Sequence, residues 1–249
     1  MGGNPGSFPR EKQLQYQPMY EARLEETLPR VRESIARAAE RSGRSGEDVR
    51  LVVVTKAHPL EALKAALRVG LRDLGENRIW ELEEKVEALG REAATWHMVG
   101  HVQSRKAKQA VALADLVHSL DSLKLGRRLS RFAEEEDTVF PALVEVNTSG
   151  EEAKYGFSPD EAVEAIHELL ELPNLEVRGL MTMAPFVDDE TVLRRTFAGL
   201  RKLHEEASRL EAYRGQELSM GMTNDFKLAV EEGSTMVRIG TALLGERPR

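Results

Sequence analysis

Short apolar runs alternate with helix-like segments along most of this sequence, and this alternation limits the possible folds. The apolar runs are typical of buried strands and cover residues 51–55, 71–75, 95–100, 116–120, 140–147, 177–182, 217–220 and 236–240. The intervening segments place apolar residues at steps of three and four, as helices with one buried face do. Strand–helix alternation favours parallel strands joined by right-handed crossovers. Eight such units predict a closed (β/α)8 barrel of the α/β class, with a doubly wound α/β sheet as the alternative.

The chain length fits a single domain of this kind. The sequence has 249 residues, and an α/β barrel typically fills roughly 250 residues. Residues 1–18 are rich in Gly, Pro and Gln and are expected to form a disordered tail, which leaves residues 19–249 for the barrel. Residues 20–42 show a helical apolar pattern. Because only nine residues follow Gly240, we expect this extra N-terminal helix to pack where an eighth helix would otherwise lie.

Composition excludes several classes of protein and site. The chain has no cysteine, which removes disulfides, thiolate metal sites and cysteine nucleophiles. Such a chain fits a reducing compartment, and without a secretory signal pattern the expected location is the cytoplasm. The apolar runs are far shorter than the roughly 20 residues that span a bilayer. A net charge of −7 offers no global basic surface for nucleic acid. Neither a membrane nor a nucleic-acid partner is therefore predicted.

One lysine stands at the end of the first apolar run. In a strand, Val52, Val54 and Lys56 share a face, so Lys56 is expected to point into the apolar mouth of the barrel. Removing an ammonium group from water lowers its pKa and makes the amine nucleophilic, as a Schiff-base lysine requires. The alternative is a lysine at a strand end that extends to solvent.

Two turns after the seventh and eighth runs form a candidate phosphate site. The candidate residues are Ser219, Gly221, Met222, Thr223, Gly240 and Thr241. Glycines allow a close backbone approach, threonines supply hydroxyls, and the helix starts that follow present N–H groups. The loops after strands seven and eight are the recurrent phosphate site of such barrels. Ordinary turn and helix-capping chemistry is the alternative.

An arginine on the eighth run completes the pattern. Arg238 alternates with Met236 and Gly240, so its side chain is expected inside the barrel, where it needs an acceptor. That acceptor is either a carboxylate such as Asp73 or an aromatic nitrogen of a ligand. A lysine for an aldehyde, a cradle for a phosphate and an inward arginine together suggest pyridoxal 5′-phosphate (PLP).

Several motifs resemble the pyridoxal phosphate homeostasis protein family, also called the proline synthase co-transcribed homologue. They lie in order at residues 55–59, 75–78, 96–106, 146–157, 178–183, 219–222 and 238–242. The resemblance implies a single-domain fold-type III barrel like the N-terminal domain of alanine racemase, with Lys56 forming an internal aldimine with PLP. It also implies that residues 219–223 with Gly240 and Thr241 hold the phosphate, that Arg238 faces the pyridine nitrogen, and that Asn77 lies near the ring. Thr223 stands where the family has serine, and the hydroxyl is kept.

The resemblance implies a protein that binds, buffers and delivers PLP, with PLP-dependent apoenzymes as recipients. The alternative is a PLP-dependent amino-acid racemase, which needs a base on each face of the substrate. In alanine racemases the second base is a tyrosine from a β-rich domain that this sequence does not contain, and Tyr155 is the one candidate substitute. An arginine at the pyridine nitrogen also weakens the electron sink. A carrier without strong activity, acting as a monomer, is the favoured interpretation.

A metal site is not predicted. His97 and His101 have a spacing that suits metal binding on a helix, but here it spans a strand and its loop, where the two side chains do not converge.

Overall fold

The computed structural model describes residues 10–151 and 154–247, with side chains from residue 19 onwards. Parallel strands β1 to β8 form a closed barrel in sequence order. Their bounds are Arg50–Val54, Asp73–Glu76, Thr95–Met98, Leu116–Leu120, Phe140–Glu145, Leu175–Met181, Glu217–Ser219 and Met236–Ile239. Strand β1 pairs with both β2 and β8. The predicted (β/α)8 barrel is therefore confirmed, because a doubly wound sheet would leave two open edges.

Helices connect the strands and cover the outside of the barrel. Within the described residues, α1 to α9 run over Arg10–Arg41, Leu60–Arg68, Ile79–Leu89, Ala107–Leu113, Leu123–Glu135, Pro159–Leu170, Glu190–Ala207, Phe226–Glu231 and Thr241–Leu244. Local sequence fixes several starts. Ser122 caps α5 by accepting from Leu125 N–H, and Asp189 caps α7 in the same way. None of the helices in the described ranges has an apolar stretch that could cross a bilayer.

Helix α1 takes the place of a long eighth outer helix, as expected from the short chain after Gly240. It packs against α2, α8 and the short α9. Its buried face includes Tyr20, Leu24 and Ile35. The helix begins at Arg10, ten residues before the expected start, because the residues there are mostly strong helix formers. Of the expected disordered tail, residues 1–9 lie outside the described residues, and residues 10–18 belong to α1.

An apolar cluster and a set of buried polar side chains fill the barrel interior below its carboxyl end. This inner cluster contains Val52, Val99, Leu116, Leu143, Met181 and Met236. A barrel filled in this way has no pore, so a ligand is confined to the loops at the carboxyl ends of the strands. The predicted site residues lie near or just after the carboxyl ends of their strands, at this end of the barrel.

Candidate functional site

A cavity of about 340 Å³ lies at the carboxyl end of the barrel. Seven of the predicted site residues line it together: Lys56, Asn77, Met222, Thr223, Arg238, Gly240 and Thr241. Ser219 and Gly221, also predicted, are buried and do not line the cavity. Residues from β1, β2, β7 and β8 and their loops thus converge on one space, which is the first requirement of a common binding site.

The Lys56 amine lies half-buried in this cavity. Burial lowers the pKa of Lys56, and the positive charges of Arg247 and Arg238 lower it further, while Glu76 and Glu81 act in the opposite direction. A larger fraction of the amine is therefore unprotonated and nucleophilic than for a lysine in water.

A buried charge cluster outside the barrel holds the loop that carries Lys56. Thr55 Oγ1 donates to Glu76 Oε1 at 2.5 Å. Lys85 Nζ, from α3, donates to the same carboxylate oxygen at 2.6 Å and to the Thr55 carbonyl at 2.8 Å. Thr55 and Lys56 alternate in direction, so anchoring Thr55 between β2 and α3 turns Lys56 toward the cavity. Glu76, Lys85 and Thr55 are all buried.

The residues after Lys56 are fixed by a second set of contacts. Ala57 has a φ of +58°, a left-handed conformation that is costly for a residue with a Cβ atom. Its N–H donates to Glu81 Oε2 at 2.8 Å, which holds this conformation. His58 Nδ1 is hydrogen-bonded to Tyr20 Oη of α1 at 3.0 Å. Burial, together with nearby positive charges, lowers the pKa of His58 to about 4, so the ring is neutral near pH 7.

The two candidate phosphate turns meet at the part of the cavity wall that follows β7 and β8, beside β1. Thr223 Oγ1, in the turn after β7, accepts from Ala242 N–H in the turn after β8, at 3.4 Å. Within the first turn, Met222 N–H donates to Asp225 Oδ1 at 2.6 Å. These contacts bring the hydroxyls of Thr223 and Thr241 to the same wall of the cavity. The predicted convergence of the two turns is thus present in the structure.

Close backbone approaches explain the glycines in these turns. Gly221 has a φ of +96°, and a Cβ atom there would lie 2.6 Å from Ala229 Cβ. A Cβ atom at Gly240 would lie 2.9 Å from the Val54 carbonyl oxygen. Both distances are shorter than a real side chain tolerates, so either substitution would shift the turn.

Arg238 points into the barrel, as predicted, and its partners are not carboxylates. Its NH1 group donates to Ser219 Oγ at 2.5 Å and its NH2 group to the Thr182 carbonyl at 3.0 Å. The expected alternative, a pair with Asp73, is wrong, because the side chains of Ser219 and two histidines separate Asp73 from Arg238. Burial lowers the pKa of Arg238 to about 10, so the guanidinium stays charged at neutral pH.

Other cavity residues are not among the predicted site residues. They include His58, Asn224, Arg247 and the residues 183–186 after β6. The sequence signal that they share is a position in a loop that follows a barrel strand. Arg247 and Arg238 add positive charge to the cavity, which suits an anionic ligand.

Tyr155, the candidate second base of the racemase alternative, and the histidine pair lie apart from the cavity wall. Tyr155 stacks on His101 with ring centroids 4.0 Å apart, and His101 Nδ1 lies 2.8 Å from Asp121 Oδ2. Tyr155 is exposed and is absent from the described residues that line the cavity. His97 is buried inside the barrel, whereas His101 lies at its rim. In the described ranges, no group of three or more His, Asp or Glu side chains is arranged to hold a metal ion.

Glu145, at the end of β5, is expected to make the stability of the barrel depend on pH. Burial, reinforced by the Asp121 charge, raises its pKa from 4.5 to about 7. Between these values the folded state binds more protons than the unfolded state, so this group's contribution to stability is lost as pH rises through 7. We expect Glu145→Gln to gain on the order of 1–3 kcal/mol of unfolding free energy relative to the wild type between pH 4.5 and pH 8.

Urea denaturation across this pH range measures the effect. Glu171→Gln, at an exposed glutamate, is the matched control and should show no such trend. A difference between Glu145→Gln and wild type that does not change with pH would contradict the burial argument.

Known proteins share this architecture and sequence. Residues 27–248 match the family described as "Alanine racemase, N-terminal domain". A pyridoxal phosphate homeostasis protein of Aquifex aeolicus is 40% identical over 222 residues, which cover 89% of this chain and 97% of that protein. A protein of unknown function from Bifidobacterium adolescentis has a crystal structure with a TM-score of 0.85 and 38% identity, covering 90% of this chain and 96% of that one.

PipY of Synechococcus elongatus, whose structure was determined with PLP bound, is a further relative. It has a TM-score of 0.75 and 34% identity, covering 84% of this chain and all of PipY. Identity at this level over nearly the whole of both chains exceeds what a shared fold alone requires. The barrel, the order of the motifs and these relatives agree: the chain belongs to the pyridoxal phosphate homeostasis protein family.

Proposed function

We propose that this protein binds PLP covalently through Lys56, in the cavity at the carboxyl end of the barrel. The observation that carries the proposal is the arrangement of an amine with a lowered pKa, two hydroxyl-bearing turns and a buried arginine around one cavity. In the covalent step the Lys56 nitrogen attacks the aldehyde carbon, a carbon–nitrogen double bond replaces the carbon–oxygen bond, and one water molecule leaves. The relative PipY, which binds PLP, supports the choice of ligand.

The other cavity residues fit the remaining parts of PLP. The hydroxyls of Thr223 and Thr241 and the close turn at Gly240 suit a phosphate dianion, which accepts hydrogen bonds from several donors. Arg238 would donate toward the pyridine nitrogen of bound PLP, and Asn77 would lie beside its ring. PLP itself supplies an aldehyde and an electron-withdrawing ring.

A carrier role follows from the charge at the ring nitrogen. Arg238 is a permanent cation, and a cation there opposes protonation of the pyridine nitrogen, which weakens the ring as an electron sink. In addition, no tyrosine is among the described residues that line the cavity. We therefore propose that the protein buffers PLP and delivers it, as a monomer in the cytoplasm, to PLP-dependent apoenzymes, without strong catalysis of its own. An assay that finds rapid racemisation of alanine, serine or glutamate would favour the racemase alternative.

Removing the two hydroxyls tests the phosphate assignment. In Thr223→Ala/Thr241→Ala we expect the dissociation constant for PLP to rise at least about tenfold, because hydrogen bonds to a charged group are lost. Equilibrium dialysis measures the affinity. Thr196→Ala, which removes a buried hydroxyl bonded to Val192 on α7, is the control and should bind as the wild type does. Unchanged affinity in the folded double variant would remove the two turns from the site.

A further inference from the structure

A continuous line of hydrogen bonds crosses the interior of the barrel and ends on Arg238. Asp73 Oδ1 lies 3.0 Å from His97 Nε2, and His97 Nδ1 lies 2.9 Å from His118 Nε2. His118 Nδ1 lies 2.9 Å from Ser219 Oγ, which in turn lies 2.5 Å from Arg238 NH1. We call these five side chains the interior chain. They come from strands β2, β3, β4, β7 and β8.

The two ends of the interior chain constrain the positions of the protons in it. A guanidinium can only donate and a carboxylate can only accept. Ser219 therefore accepts from Arg238, and its own proton is free to donate to His118 Nδ1. His118 then donates from Nε2 to His97 Nδ1, and His97 donates from Nε2 to Asp73. In this arrangement each ring carries a single proton, on Nε2. Burial lowers the pKa of His118 well below its usual value, which agrees with a neutral His118 ring.

The three middle members do not touch the cavity themselves. Ser219, His97 and His118 are each at most 1% exposed, and none lines the cavity. Polar side chains in a barrel core are costly unless all of their hydrogen bonds are formed, whereas apolar residues would fill the same space at no such cost. They are linked to the site through Arg238, because Ser219 Oγ accepts a hydrogen bond from the Arg238 NH1 group.

We infer that Ser219, His118 and His97 are positioning residues, which hold the Arg238 guanidinium with its remaining N–H groups directed at the ligand. The Arg238 NH2 group donates a second hydrogen bond, to the Thr182 carbonyl, so the guanidinium plane is held at two points. Hydrogen bonds in a line polarise one another, so the Asp73 carboxylate strengthens the bond between Ser219 and Arg238 from the far end. The effect on the ligand rests on the proposed function, whereas the arrangement of protons does not.

The arrangement of protons is tested without any ligand. Long-range proton–nitrogen correlation spectra of the histidine rings distinguish the two neutral tautomers. We expect both His97 and His118 to be neutral and protonated at Nε2 at pH 7.5. A charged ring, or a proton on Nδ1 of either histidine, would overturn the inference, because the chain could not then run from Arg238 to Asp73.

The effect on the ligand is tested by a double-mutant cycle with PLP as the probe. In Ser219→Ala we expect the dissociation constant for PLP to rise about tenfold, and in His118→Asn by a smaller factor. Because His118 acts through Ser219, the double variant should bind PLP no more weakly than Ser219→Ala alone. Ser130→Ala, which removes a buried hydroxyl bonded to the Pro173 carbonyl, is the matched control and should keep wild-type affinity.

The outcomes separate this inference from the proposed function. Additive losses in the double variant, or wild-type affinity in Ser219→Ala, would overturn the positioning role while leaving PLP binding intact. Wild-type protein that fails to bind PLP would instead overturn the proposed function, and the tautomers would still decide the interior chain. If His118→Asn does not fold, Ser219→Ala and the wild-type spectra carry the test.

Discussion

Lys56→Ala is expected to abolish the yellow absorbance of protein incubated with PLP, without unfolding the barrel. The lysine side chain supplies the amine, and no neighbouring group can replace a covalent bond. The half-buried side chain contributes little to the core, so circular dichroism and the urea midpoint should stay close to those of the wild type. Absorbance spectra recorded during a PLP titration measure the loss.

The control for this variant is Lys64→Ala, which removes an exposed lysine of α2. It should keep the full absorbance, because Lys64 lies on the outer face of α2 and is not among the described residues that line the cavity. Retained absorbance in folded Lys56→Ala would show that another amine forms the adduct, and the assignment of Lys56 would fail.

Lys85→Met is expected to lower the unfolding free energy by about 3 kcal/mol at pH 8, the largest stability effect that we predict. It leaves the Glu76 carboxylate buried without its cation, and Glu76 Oε2 already has no hydrogen-bond partner among the described residues. Burial holds the pKa of Glu76 at about 7 even with Lys85 in place, and removing Lys85 raises it further. The loss should be smaller at pH 5, where this carboxyl group is protonated.

A second variant separates charge from packing. Glu76→Gln/Lys85→Met removes both charges and should recover most of the stability at pH 8, because a neutral amide is much less costly to bury than a lone carboxylate. Equal losses in the single and double variants would mean that Lys85 contributes mainly by packing. Urea denaturation at pH 5 and pH 8 measures the difference in stability. Urea is uncharged, so it does not add the ionic strength with which guanidinium chloride would screen the charges.

The fold was predictable because its signal is local. Apolar runs of strand length, separated by helix-period segments, indicate a parallel barrel, and the position of Lys56 at a strand end follows from alternation alone. The turns at Gly221 and Gly240 were also predictable, since a glycine with a threonine one or two residues later, after a strand, is a local pattern. Helix α1 begins earlier than its apolar pattern predicts, because residues 10–18 are mostly strong helix formers without an apolar periodicity.

The contacts that position the site were not predictable, because they join residues distant in sequence. Lys85 reaches back 30 residues to Thr55, and Ser219 lies 101 residues from His118. The error over Asp73 has the same cause. Sequence indicates that Arg238 needs an acceptor, but the choice among carboxylates and hydroxyls depends on how the strands stagger around the barrel.

Borohydride reduction of the PLP-loaded protein, followed by peptide mapping, tests the central claim most directly. Reduction converts the carbon–nitrogen double bond to a stable single bond, so the pyridoxyl group marks the lysine that formed it. We predict one modified peptide, containing Lys56, in stoichiometric yield. A pyridoxyl group on any other lysine, or no labelled peptide from protein that has turned yellow, would contradict the site described above.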